Sequence, residues 1–244
     1  MPRRIALLAC AAVLAGAFPA AAAQAPVVWI QAGHEGPREP GYRDQTGAGS
    51  GPFGGEAAFN ERVAAIVVRR LRGKGIDARR TPGMVTPWGA EGATFVSIHH
   101  DTPDGSASIG HAIFGAGENW YHGEGGGTPS PVPYSDSAPH RKATTVSRAV
   151  ERRSRALAVR LAKRFGRIHT PAFGAFSPFD GVVPRDGNVR MMRFYGYYRT
   201  RAQARILIEC GAGTRDDAFL RRTELIGAAI TGAVVEDLHA RGLR

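Results

Sequence analysis

Cysteine is almost missing from these 244 residues: the chain has two, Cys10 and Cys210. Cys10 falls inside an N-terminal segment expected to be removed, so the mature chain would keep Cys210 alone and can form no intramolecular disulfide. Stability must then come from burial. Long apolar runs are also missing: beyond the N-terminal segment nothing approaches the ~18 or more apolar residues of a membrane-spanning helix. The expectation is a soluble mature protein with no membrane anchor. No zinc-finger spacing, helix-turn-helix pattern or aromatic RNA-binding motif is present, so nucleic acid is not an expected partner. Internal repeats are absent.

What is there begins with "MPRRIALLACAAVLAGAFPAAAAQAP", which has two arginines, an apolar stretch from residue 5 to about residue 18, and small residues before Gln24. That is the layout of a secretory signal peptide. Cleavage is expected after Ala23, because a cut after Ala25 would place Pro26 directly behind the scissile bond. Lipidation at Cys10 is disfavoured, since only residues 5–9 separate it from the arginines, against the ~7 to 15 residues of an apolar signal core. Residues 1–23 are read as the signal peptide and 24–244 as one exported domain, periplasmic in preference to extracellular. A mature chain of this size fits one α/β domain with a real core.

The whole chain carries a formal net charge of +11, of which Arg3 and Arg4 would leave with the leader. Such a charge steers an exported protein towards polyanions, of which cell wall, anionic lipid and extracellular nucleic acid are the ones outside the cytoplasm. An arginine-rich composition without any partner explains the charge equally well.

Short apolar runs alternate with amphipathic stretches. "VVWIQAG" (27–33) and "ATFVSIHH" (93–100) read as strands buried on both faces, and "IDARR", "GHAIFGAG", "NVRMMRF" and "ARILIEC" as further strands. A helix is expected from near Glu56, with Phe59, Val63, Ile66, Val67 and Leu71 at helical spacing and Gly73 and Gly75 as its stop. A second runs through "TTVSRAVERRSRALAVRLAKRF", its apolar side Val146, Val150, Leu157, Leu161 and Phe165 and its other side arginine. The last is expected to open at Thr214, with Asp216 and Asp217 favouring the helix dipole, and to continue to about Ala240 along Phe219, Ile226, Ile230, Val234 and Leu238. Strands alternating with helices predict an α/β architecture with a largely parallel sheet. Residues 116–141 are rich in Gly, Pro and Ser, a length that in a compact domain marks either a functional loop or an inert insertion.

Three of the apolar strands end in a side chain able to bind metal or move protons: His34, His99 and Glu209. In an open α/β sheet, the carboxyl ends of parallel strands converge on the ligand crevice, so these three can meet although far apart in sequence. Glu56, at the start of the first helix, would lie on the same rim. Two imidazoles and one carboxylate make an open zinc site of the hydrolase type, and a second, non-ligating carboxylate can then handle the proton. Each residue also has a plainer reading: a hydrogen-bonded structural histidine, or a glutamate placed for the helix dipole. Glu209 is the hardest to dismiss, because a carboxylate ending a core strand is costly unless it is paired.

The stretches "VVWIQAGHEG", "GGEAAFN", "FVSIHHD" and "ILIECGAGTRDDAFL" resemble, in order and spacing, the four signature blocks of the zinc-dependent N-acetylmuramoyl-L-alanine amidases of the amidase_3 type. The resemblance covers most of the chain from Val27 to the last helix. It implies a single domain with a twisted, mostly parallel sheet flanked by helices, Zn2+ as cofactor held by His34, Glu56 and His99, and Glu209 as the catalytic residue. It implies peptidoglycan as substrate, cut at the amide between the lactyl group of muramic acid and the first L-alanine of the stem peptide.

The chain departs from the family at Gln31, Ala32 and Glu35, where the family reads Asp-Pro-Gly-His-Gly-Gly, and at His100 and Asp101, where it reads Ala-Asn. On a continuing strand His99 and His100 face opposite ways, so only one of them can serve a given metal. Residues 115–165 correspond to a region that covers the active site in some members, which makes 116–141 a candidate lid. With no separate wall-binding repeat, targeting falls to the domain's own surface, its charge, or an activator protein. Two rival readings stand beside the amidase: a non-catalytic wall-binding or regulatory domain using the basic helix around 152–164, and another exported zinc peptidase or deacylase.

Overall fold

Strand β1 (Val28–Ala32) is followed by helix α1 (Glu56–Arg72) and strand β2 (Ala78–Pro82); the chain then returns to the other side of β1 as β3 (Thr94–Asp101). In this computed structural model the described residues are 26–36, 47–82, 89–116, 121–122, 141–142, 144–185 and 198–244. The expected leader, nearly all of the 116–141 loop and the expected strand "NVRMMRF" lie outside them. The remaining elements are β4 (Ala107–Ala112), β5 (Tyr121–His122), β6 (Arg141–Lys142), α2 (Arg148–Phe165), β7 (Phe179–Arg185), β8 (Arg205–Ala212), α3 (Asp217–Leu220) and α4 (Thr223–Ala240).

Six strands form one sheet in the order β2-β1-β3-β8-β4-β7, parallel at every joint except β4 against β8. The expectation of a single α/β domain with a mostly parallel sheet is met. β5 and β6 pair separately as a short antiparallel ladder. Because the chain passes from β1 to β2 on one side and returns to β3 on the other, β1 and β3 flank a topological switch point, where ligand crevices open at the strands' carboxyl ends.

Alternation along the strands divides the core. Val28, Ile30, Val96, Ile98, Ile206 and Ile208 join α1, α2 and α4 in one continuous cluster, which includes Phe59, Val63, Leu157, Leu161, Phe165, Ile226, Ile230 and Val234. The intervening positions Trp29, Phe95 and Leu207 belong to a smaller cluster with Tyr198, Ala202 and Val146. Period-two alternation on the strands and 3.6-residue periodicity on the helices meet in the larger cluster. Among the described residues no helix is long and apolar enough to cross a membrane.

Three expectations change. The last helix does not open at Thr214: residues Gly213–Asp216 form a 3-10 turn, α3 follows, and the long helix starts only at Thr223. Asp216 precedes α3, but its side chain makes no capping hydrogen bond there. Its carboxylate is buried and accepts hydrogen bonds from the backbone N–H groups of Phe176 (2.7 Å), Ser177 (2.8 Å) and Ala212 (2.8 Å), and from the Ser177 hydroxyl. Second, β4 starts at Ala107 and stops at Ala112, so the run "IF" that suggested a strand lies beyond it, with Phe114 exposed beneath the Arg148 guanidinium. Third, β7 was not expected; it contains Gly181 and Pro184 and takes the sheet edge, where a missing N–H is tolerated.

Burial pushes the Asp216 carboxyl up, but His169, Ser177 and the backbone amides outweigh burial and hold it well below the usual carboxylate range. An acid with a depressed folded pKa stabilises the fold above its unfolded pKa of ~3.9 and loses that contribution as pH falls below it. Asp216→Ala is expected to lower the unfolding free energy by about 3 kcal/mol at pH 7, since it strips several buried donors of their acceptor. Urea denaturation at pH 7 and at pH 3 checks this; the gap between variant and wild type should narrow at the lower pH.

Candidate metal centre

His34, Glu56 and His99 come together at the carboxyl ends of β1 and β3, all three buried. Each offers one ligand atom, and these atoms lie within 4.8 Å of one another. β1 delivers His34 just past its end, in a left-handed conformation (φ 59°) that non-glycine residues seldom adopt. Glu56 is the first residue of α1. Its Oε1 stands 2.9 Å from His99 Nδ1 and 3.5 Å from His34 Nε2, and the two imidazoles meet edge to face with centroids 4.9 Å apart.

Hydrogen bonds from neighbouring residues hold the cluster in place. Glu56 Oε2 accepts from the Ala48 backbone N–H at 2.7 Å. Asn60, one turn along α1, donates through Nδ2 to the Gly33 carbonyl at 2.9 Å and lies 3.5 Å from Glu56 Oε1. On the opposite side of its ring, His99 Nε2 is 2.9 Å from Ser97 Oγ, which in turn donates to Gln31. Gln31, atypical for the resembled family, thus supports His99 through Ser97.

Two glycines let the imidazoles close in. A Cβ on Gly33 would stand 2.1 Å from the His99 ring, and one on Gly47 would stand 2.6 Å from Glu56 Oε2 and 2.9 Å from the His34 ring.

Glu209 lies beside the cluster, directly opposite His99 in the β3–β8 register and opposite Ser108 on β4. Neighbouring strands run ~4.8 Å apart, so Glu209 and His99 project side by side. Burial and the charge of Glu56 drive the Glu209 carboxyl up to about 8, against the pull of Arg185, whose Nη2 is 3.6 Å from Oε1. Burial likewise lowers His99 to about 4, Glu56 acting the other way. Burial alone would raise Glu56, but the His99 hydrogen bond, the two histidines' charges and the Ala48 amide bring it down to about 2. Of the two carboxylates, Glu56 is thus held as an anion and Glu209 is driven well above the usual carboxylate range.

The four residues expected from the sequence are therefore adjacent in space. His100 does face away, packed edge-on against Phe59 at 5.4 Å, with Nδ1 3.0 Å from the Asp101 carbonyl. Asp101 caps the following turn, its Oδ1 accepting from Thr102 N–H at 2.7 Å. Glu35 leaves the cluster and pairs with Arg80 of β2. Sequence reasoning missed Arg185. The signal existed, because "GVVPR" is another short apolar run ending in a charged residue, but Gly181 and Pro184 disguised it as a loop.

Neither a family model nor a curated protein matches the chain. Solved structures do. The CwlD amidase from Clostridioides difficile, in complex with the GerS lipoprotein, aligns at 13% identity over 88% of this chain and 99% of that one, with a TM-score of 0.52. The N-acetylmuramyl-L-alanine amidase Ami1 from Mycobacterium smegmatis aligns at 16% identity over 88% and 97%, with a TM-score of 0.51. Cwp6 from Clostridium difficile aligns at 15% identity and a TM-score of 0.50 over 87% of this chain, which spans only 29% of Cwp6. At these identities the likeness is one of fold: the chain shares the α/β architecture of solved N-acetylmuramoyl-L-alanine amidases.

Gly33→Ala tests whether the cluster is a metal centre that depends on close approach. The added methyl should displace the His99 ring and weaken Zn2+ binding by ~10-fold or more, in line with losses at residues that orient ligands. Titration against a competing chelator reads the affinity, and circular dichroism checks that the sheet persists. Wild-type affinity in the variant would show that His99 is not a ligand.

Proposed function

We propose that the protein is a zinc-dependent N-acetylmuramoyl-L-alanine amidase, exported to the periplasm, whose domain 24–244 cleaves the amide joining the lactyl group of muramic acid to the L-alanine of the stem peptide. The observation that carries this reading is the buried His34–Glu56–His99 donor set with Glu209 alongside it. The amidase fold of the solved neighbours supports the choice of substrate.

The residues fit zinc. The donor set is two imidazoles and one carboxylate, the composition of open catalytic sites. The separations of 2.9 and 3.5 Å between Glu56 Oε1 and the two histidines bracket the ~3.4 Å edge of a tetrahedron with 2.0–2.1 Å bonds. Zinc held by His34, Glu56 and His99 would polarise the scissile carbonyl and acidify water. Ser97 and Asn60 fix the ring of His99 and the loop at Gly33. Glu209 takes the proton from the attacking water and passes it to the departing alanine nitrogen. The CwlD structure includes a lipoprotein partner, which supports an activator protein as the means of targeting here. The 116–141 loop remains the proposed lid.

A non-catalytic wall-binding domain has no use for a carboxylate beside the donor set, so Glu209 favours the enzyme. Glu209→Gln is expected to keep wild-type zinc affinity and to lose turnover by 10²–10⁴-fold, whereas His99→Ala should lose metal and turnover together. Mass spectrometry of digested peptidoglycan should show free lactyl carboxyl groups and new L-alanine amino termini. Any other cleavage would point to a peptidase or deacylase, and turnover retained in Glu209→Gln would remove Glu209 from the mechanism.

A further inference from the structure

Arg185, the last residue of β7, reaches across β4 towards Glu209. Its stem lies over Gly110, where a Cβ would stand 2.3 Å from Arg185 Cγ and 2.7 Å from Nε. Nη2 lies 3.4 Å from Ser108 Oγ, and the Arg185 backbone carbonyl lies 3.3 Å from the Tyr198 hydroxyl. The side chain is therefore placed by Gly110 and Ser108 of β4, and the backbone that carries it is met by Tyr198. Its Nε is buried and has no hydrogen-bond partner among the described residues.

The separation from Glu209 is informative. At 3.6 Å, Nη2 is outside the ~2.7–3.2 Å range of an N–H···O hydrogen bond yet close enough for strong attraction. A bidentate arginine–carboxylate pair would occupy both carboxylate oxygens; here they stay free to exchange a proton. Among the charged side chains acting on Glu209, Glu56 and Asp101 repel its anion and Arg185 attracts it.

We propose that Arg185 is the positioning residue for Glu209, holding its carboxylate beside His99 by charge without engaging its oxygens, and that Gly110 exists at its position to let Arg185 through. The kinetic part of this rests on the amidase reading; the structural part does not. Arg185 touches no reacting atom in this role, so its loss should lower kcat and leave KM nearly unchanged.

Arg185→Ala is expected to lower kcat on purified peptidoglycan ~10- to 100-fold, with KM within about twofold, zinc affinity unchanged and the thermal midpoint nearly unchanged. Arg185→Lys and added guanidinium chloride at low millimolar concentration should each restore part of kcat to the site. Gly110→Ala, which keeps the arginine but blocks its path, should reproduce the loss, and the double variant should be no worse than either single one. Crystal structures of wild type and Arg185→Ala should show the Glu209 carboxylate turned away from its wild-type orientation. Unchanged kcat in Arg185→Ala, a kcat loss explained by lost zinc, multiplying losses in the double variant, or an unmoved Glu209 would each overturn the proposal. If wild type released no amidase product while the variant's Glu209 still turned, the amidase reading would fall and the positioning role would stand.

Discussion

The carboxylate of Glu56 ties the site together. From the first turn of α1 it reaches back to the Ala48 amide, forward to His99 on β3, and across to His34 beyond β1. Burying an anion is expensive unless its lone pairs are met. Here the cost is offset by one backbone N–H, two imidazoles and the nearby Asn60 amide, which is also bonded to Gly33. Removing the carboxylate would therefore undo three local arrangements at once: the approach of the 47–48 segment to α1, the ring orientation of His99 and the placement of His34. The same crowding of donors that keeps Glu56 ionised makes the pocket a place where a divalent cation can replace protons.

The pocket also depends on side chains that are missing. Gly33 lies under the His99 ring and Gly47 beside both His34 and Glu56, each closer than any Cβ allows. Gly51 does the same for His100 on the opposite face of the strand, where a Cβ would stand 2.7 Å from Nε2. Close backbone approach at these points compresses the site around its donors, and His34 itself takes up a left-handed conformation to aim inward. Strain of this kind persists only where surrounding contacts over-determine it, and it is a mark of sites with a task.

Much of this was legible in the sequence because one physical rule governs it: a buried strand must end somewhere, and the polar residue at its carboxyl end meets the others on the same rim. That rule found His34, His99 and Glu209 from three separate runs, and the helix-start position found Glu56. It failed where the strand itself was hidden. β7 lies half exposed at the edge, and its glycine and proline broke up the short apolar run that would have announced its terminal Arg185. Asp216 misled in the other direction. Its place before an amphipathic helix suits a dipole-favouring acid, but its partners Phe176 and Ser177 are forty residues upstream, and a contact that distant leaves no local periodicity to read. Supporting groups such as Ser97, Gln31 and Asn60 were invisible for the same reason, since their value lies in a neighbour's orientation.

Strand β3 shows why the core and the chemistry cannot be separated in this fold. Val96, Ile98 and His100 face the helices, while Phe95, Ser97 and His99 face the other way. A one-residue slip in the register of β3 would exchange the two sets, turning Ser97 and His99 against α1 and carrying Val96 and Ile98 to the side of the smaller cluster. The apolar side of the strand therefore fixes the polar side. Phe59 illustrates the coupling: it fills the core one turn beyond Glu56 on α1 and packs its ring against His100, so the helix that supplies Glu56 is held against the strand that supplies His99. The geometry of His99 and Glu56 is thus set by hydrophobic packing on the far side of the same two elements, and stability and site geometry rise or fall together.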